Sequence, residues 1–202
     1  MNKIKEIIIV ADPMCSWCWG FEPVIKTLQK KIDPKIKLSL LVGGLRSQGD
    51  QAWTNEFKSF LQEHWKQVEA KTGQMFNTEI LEKKVFEYNT EPACRALVTL
   101  REIDETKQFL FLNALQEAFY LRAVDITNEK VLSTLVKDFG IDEAEFLRLF
   151  RSDKMIEKTQ ADVYKSRSMG ANVFPSVVII DEEGHLCVVK GYKDYEELSK
   201  LL

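Results

Sequence analysis

Two cysteines in the run Cys15-Ser16-Trp17-Cys18 are the residues of this chain best placed for covalent chemistry. At this spacing on one helical turn, two thiols can close a disulfide on each other. The first can then attack a foreign disulfide and the second can release it. The same spacing supplies half of a tetrahedral metal site, but the sequence contains no second CxxC. His185 and Cys187 would share one strand face and complete four zinc ligands only if the fold carried that strand to the first pair, so redox chemistry is the preferred reading and no metal is expected. Cys94, with Leu97 and Leu100 at helical spacing, reads as a small core residue. His64 falls in a charged, aromatic helical stretch and reads as a surface residue. Gly43-Gly44-Leu45-Arg46 lacks both the Lys-Ser/Thr of a phosphate loop and the GxGxxG of a dinucleotide site; it reads as a turn near the cysteines, with Arg46 a candidate anion contact.

The elements around the pair decide what it can do. Ile7-Ile8-Ile9-Val10-Ala11 is an unbroken, β-branched run, the pattern of a strand buried on both faces, and Asp12-Pro13 stops it. From Trp19 onward Phe21, Val24, Ile25, Leu28 and Ile32 recur at three- and four-residue steps, predicting a helix that places Cys15 at or near its first turn. A helix amino terminus favours the thiolate form of a cysteine placed there. Cys15 is therefore the expected nucleophile and Cys18 its resolving partner. Trp17, Trp19 and Phe21 divide between an apolar rim at the site and the core face of that helix, with the rim reading strongest for Trp17.

Residues 36–42 read as a second strand ended by Gly43-Gly44, which completes a right-handed β-α-β unit. Helical patterning then occupies about 50–169, in segments near 50–72, 91–104, 106–122, 128–138, 142–150 and 153–169. Thr127-Asn128-Glu129-Lys130 reads as a capping-box entry, Pro92 suits a first turn, and Gly140 and Asp142 mark a stop and a start. Residues 176–180 and 186–189 predict a β-hairpin turning at 181–184, and 193–202 a terminal helix.

With 202 residues and 45% apolar composition, the chain suits one α/β domain carrying a helical subdomain. Its 28 basic and 31 acidic residues give a net charge of -3, and their spread offers no basic face for nucleic acid. The apolar stretch near the amino terminus is shorter than a signal-peptide core and no segment approaches spanning length, so no membrane is expected and the cytoplasm is the expected location. There a CxxC is more often catalytic or metal-binding than a structural staple.

A β-α-β half, a β-β-α half, a CxxC opening the first helix and Pro175 just before the third strand together resemble the thioredoxin fold. The helical block between the halves is similar to the insert of the DsbA-like branch. Asp12-Pro13-Met14-Cys15-Ser16-Trp17-Cys18-Trp19-Gly20-Phe21, Glu91-Pro92-Ala93-Cys94-Arg95-Ala96, the stretch Phe119 to Leu132, and Gly170-Ala171-Asn172-Val173-Phe174-Pro175 resemble segments of its cytosolic FrnE-like and predicted protein disulfide isomerase group. The resemblance implies a thioredoxin-like domain from 1–49 with 170–202, and an inserted helical subdomain over 50–169. It implies catalytic Cys15 and Cys18, and makes Pro175 the proline that is cis and packs beside them. Val173, Phe174 and Trp17 then become the substrate contacts, the first two as a backbone edge. Pro23 matches a helix-kinking proline.

The implied function is thiol-disulfide oxidoreduction, as reductase or isomerase, on a protein or small-molecule thiol or disulfide. No cofactor is tightly bound and glutathione is a candidate co-substrate; monomer and homodimer both stay open. Three positions depart from the group. Ile9 stands where many relatives bury an acid, Ser16-Trp17 replaces the better-known dipeptides, and Phe174 replaces a smaller residue before the proline. Two alternatives share the architecture: a glutathione-dependent enzyme of the kappa-transferase or chromene-carboxylate-isomerase type, and a DsbA-like adaptor that delivers a regulator to a protease.

Overall fold

The computed structural model describes residues 3–49 and 51–202. The expected start of the first inserted helix at Asp50 lies outside them. Strand β1 (Ile4–Ala11) is buried on both faces from Ile7 onward, as an uninterrupted β-branched run should be. It pairs in parallel with β2 (Lys37–Val42) and antiparallel with β3 (Ser176–Asp181), which pairs antiparallel with β4 (Leu186–Lys190). The sheet order is β2-β1-β3-β4, so the β-α-β and β-β-α halves form one mixed sheet.

Alternation along β1 divides the core. Ile7, Ile9 and Ala11 join the large cluster that also takes in most of the helices, while Ile8 and Val10 face Leu41, Ala171 and Val178 on the other side.

The expected first helix is two. α1 (Ser16–Gly20) ends at Phe21 and α2 (Glu22–Lys31) starts afresh with Pro23 in its first turn. Proline has no N–H and is tolerated there, so Pro23 opens a helix rather than kinking one. Between β2 and β3 run α3 (Asn55–Thr72), α4 (Glu91–Ile103), α5 (Gln108–Tyr120), α6 (Glu129–Leu135), α7 (Glu143–Phe150) and α8 (Asp153–Ser168). The cap before α6 is Asn128, which accepts the Lys130 N–H, in place of the expected box opening at Thr127. Gly140 and Asp142 do act as stop and start. The terminal helix α9 (Tyr195–Ser199) is shorter than 193–202 and opens on a capping box from Asp194.

One ion pair fastens the helices to the sheet. Arg101 on α4 donates to both Asp162 oxygens on α8, each at 2.9 Å, and to the Leu40 carbonyl at 2.6 Å. Asp162 Oδ2 in turn accepts the Val42 N–H at 3.2 Å. Two helices and an edge strand thus share one largely buried charge pair.

Candidate active site

The site forms at the carboxyl end of β1. Past Ala11, Asp12 turns the chain on itself: its carbonyl accepts the Cys15 N–H at 3.1 Å and its Oδ1 the Met14 N–H at 2.9 Å. Cys15 then occupies the N-cap position of α1 with extended backbone. Cys18 follows one turn later and is fully buried, whereas Cys15 keeps 6% of its surface accessible. Both are free thiols, hydrogen-bonded to each other.

The chain returns to this point 159 residues later. Cys15 Sγ donates to the Phe174 carbonyl at 3.7 Å, and the Phe174–Pro175 bond is cis. The structure therefore brings Cys15, Cys18, Phe174 and Pro175 together, with Trp17 and Val173 beside them. Cys15 borders a cleft of about 330 Å³ that Trp17, Val173 and Phe174 line on one side and Leu45, Phe60 and His64 on the other. A second cleft of about 500 Å³ shares Trp17, Val173 and Phe174 and adds Gln67, Lys71 and Tyr192. Trp17 is half-buried, its ring 5.8 Å from that of Tyr192. Trp19 and Phe21 are core residues.

Gly43 packs closely against the site. A Cβ on it would lie 2.3 Å from the Phe174 ring, far inside van der Waals distance. Gly44, at φ +62°, takes the left-handed turn that starts the path toward α3.

The acid missing at Ile9 is present at Asp12, which is fully buried. Its Oδ2 accepts the Leu45 N–H at 2.7 Å and the Cys94 S–H at 3.4 Å, and the Thr90 hydroxyl also bonds to it. Burial is the largest influence on Asp12 and raises its pKa above the usual carboxylate range against these donors. Burial likewise pushes the Cys18 thiol well up; its bond to Cys15, the Cys15 charge and the Asp12 charge push the same way, while a backbone bond from Asp12 opposes them. The Tyr88 hydroxyl donates to the Met14 carbonyl at 2.7 Å, holding the segment just before Cys15, and burial first and then the Asp12 and Cys15 charges raise its pKa. Phe57 meets the Tyr88 ring edge-on at 5.4 Å, which sets the tyrosine's direction.

Asp12, Tyr88, Thr90 and Phe60 were not singled out from sequence. Asp12 read only as a strand stop, and the signal available was an acid within three residues of a CxxC. His64, expected at the surface, is partly buried in the cleft wall, its ring tilted against that of Phe60 with centroids 3.9 Å apart. Cys94 is buried as expected, but its thiol bonds to Asp12 instead of packing as a plain apolar group. His185 sits in the β3–β4 turn, abreast of the start of β1. That is roughly 20 Å along the strand from Cys15, which removes the four-ligand zinc arrangement. Arg46 borders the cysteine cleft, its guanidinium 5.0 Å over the Phe57 ring and its Nη1 bonded to Gln51.

The chain matches the thioredoxin family model over residues 9–200. A crystal structure from Nitrosomonas europaea, provisionally named a protein disulfide isomerase, superposes with a TM-score of 0.89 at 32% identity, covering 98% of this chain and 96% of that one. The cytosolic disulfide reductase DsbM of Pseudomonas aeruginosa has the same fold, with a TM-score of 0.78 at 19% identity over 92% of this chain and 89% of its own. Among curated proteins, the ClpXP adapter protein SpxH of Bacillus subtilis (strain 168) is 22% identical over 100% of this chain and 67% of its own length, and that of Shouchella clausii 23% identical over 94% and 62%. This chain thus spans about two thirds of those adapters. With a mixed four-stranded sheet, a helical block between its halves and a CxxC at the end of β1, the chain belongs to the thioredoxin family.

Proposed function

We propose that the protein is a thiol-disulfide oxidoreductase, a reductase or isomerase, working through Cys15 and Cys18. One observation carries the reading: Cys15 opens onto a cleft beside the Phe174 carbonyl, while Cys18 is sealed behind it and hydrogen-bonded to Cys15.

Cys15 thiolate attacks one sulfur of a substrate disulfide; the other sulfur leaves as a thiolate and takes up a proton from water. The Phe174 carbonyl, freed of the Cys15 S–H, and the Val173 edge receive the substrate backbone, and Trp17 covers its apolar side chains. Cys18 then loses its proton, its sulfur attacks Cys15, and the second substrate thiolate departs. The Cys15–Cys18 disulfide remains and takes two electrons from a thiol donor, for which glutathione is the proposed co-substrate. Asp12 is the buried acid near Cys18 and takes the proton Cys18 gives up. Pro175, buried just before β3, holds the edge in place.

The proposed location is the cytoplasm, which the cytosolic name of the Pseudomonas reductase supports; no helix among the described residues is long and apolar enough to cross a membrane. Disulfide-reducing turnover should vanish in Cys15→Ser, and Cys18→Ala should accumulate a mixed disulfide on Cys15. Full turnover in Cys15→Ser overturns the reading.

A protein-binding role is the second reading, favoured by Leu45, Phe60 and Val173, which stand 41%, 46% and 48% exposed around the thiol cleft, and by the adapter names of the curated relatives. Capture of one specific partner by the Cys15→Ala, Cys18→Ala double variant would favour it. The glutathione-transferase alternative requires conjugation or isomerisation that survives Cys18→Ala.

A further inference from the structure

Cys94 is a buried thiol that the exchange cycle does not use, yet it is not packed as an inert side chain. Its sulfur donates to Asp12 Oδ2 at 3.4 Å and accepts a backbone bond from Gly44. Both Cys94 and Asp12 are fully buried. Asp12 collects the Met14 and Leu45 N–H groups, the Cys94 thiol and the Thr90 hydroxyl, all of which can donate. A set made of donors suits a carboxylate; a protonated acid would aim its own hydrogen at one of them.

We propose that Cys94 is a positioning residue for the resolving step: its thiol, fixed between Gly44 and Asp12, completes the donor set that keeps the Asp12 carboxylate charged and ready to accept the proton of Cys18. The proposal rests on the reading of Cys18 as the resolving thiol. The other groups facing this carboxylate are Cys15 and Cys18 on the CxxC segment, Tyr88, and Tyr120 on α5, with Arg46 acting on Tyr88 and Glu91 on Cys94. All but Arg46 are neutral or anionic groups, so none of these contributes a positive charge in place of the Cys94 donor.

The test is a carboxyl ¹³C NMR titration of the full-length reduced protein labelled at aspartate, with Asp12→Asn assigning the signal. Cys94→Ala should raise the Asp12 midpoint by about one pH unit, a tenfold gain in proton affinity, as expected for the loss of one charge-assisted bond. Cys94→Ser restores a donor and should leave the midpoint at or below that of the wild type. The same variants, carried through single-turnover release of a mixed disulfide on Cys15, should move the pH profile of release in step with the NMR midpoint. An unchanged midpoint in Cys94→Ala, or a rise in Cys94→Ser matching that in Cys94→Ala, overturns the proposal. If Cys94→Ala does not fold, the serine variant decides alone, since a raised midpoint there refutes the role. The NMR signal is read without any turnover. A protein that shows the shift but reduces no disulfide therefore refutes the oxidoreductase reading and not the Cys94–Asp12 link.

Discussion

Replacing Asp12 by Asn should change the pH dependence of stability in a direction set by burial. Cys18, Cys94, Tyr88 and Tyr120 are all pushed upward from thiol and phenol values that already lie above the carboxylate range, so Asp12 is the first member of this buried set to lose its proton as pH rises. Its folded pKa lies above the unfolded value, 3.8. The folded state therefore binds the proton more tightly, and stability falls as pH rises from the unfolded pKa through the folded one. Within that window the wild type should lose about 1.4 kcal/mol per pH unit relative to Asp12→Asn, whose amide does not ionise. A second, pH-independent contribution opposes this. Oδ1 and Oδ2 each accept a backbone N–H, so either amide orientation sets an NH₂ against a donor, at a cost of about 1–3 kcal/mol. Near pH 4 the variant should thus be the less stable protein, and the gap should narrow as pH rises before levelling off. Urea denaturation of the reduced proteins at half-unit intervals from pH 4 to 8 measures the gap directly. A gap that stays constant, or widens with pH, refutes the assignment of Asp12 as a buried acid with raised pKa.

Arg101→Ala leaves the Asp162 charge largely buried with the Val42 N–H still donating to it but no cation beside it, and should cost about 3–5 kcal/mol in the same denaturation assay; a loss under about 1 kcal/mol would show the pair to be dispensable. Tyr88→Phe deletes the bond to the Met14 carbonyl and should cost about 1–2 kcal/mol, with faster amide hydrogen exchange at Cys15; unchanged exchange would show that Tyr88 does not hold this segment. Gly43→Ala forces the Phe174 ring aside and should destabilise by about 1–3 kcal/mol while slowing mixed-disulfide formation. Wild-type rates and stability would mean that the ring moves without consequence for the cleft.

The sheet could be read from the chain because its signal is local. The run Ile7 to Ala11 carries its burial in its composition, and the hairpin around 181–184 lies between two apolar stretches. The helical stripes were equally local, apart from the break at Phe21, where a five-residue turn ends and Pro23 begins a new helix. The surroundings of the thiols were less accessible. Asp12 is ordinary turn chemistry in sequence and becomes a buried acid only because Leu45, Thr90 and Cys94, 33 to 82 residues away, close over it. Tyr88 lies in an irregular stretch between α3 and α4, where no period announces its burial. His64 read as exposed because its helical neighbours are charged, but its face turns toward the cleft.

The cleft beside Cys15 has two kinds of wall. The thiols and the Phe174–Pro175 edge belong to the sheet half of the molecule, whereas Phe60, Leu61 and His64 come from a single face of α3. Bond-breaking groups and gripping groups therefore sit on different stretches of chain, joined through the Gly43–Arg46 turn that Asp12 clamps. Exchanging side chains along that face of α3 would redirect which molecules are held while the sulfur chemistry stays as it is, so an altered client range needs no new active site.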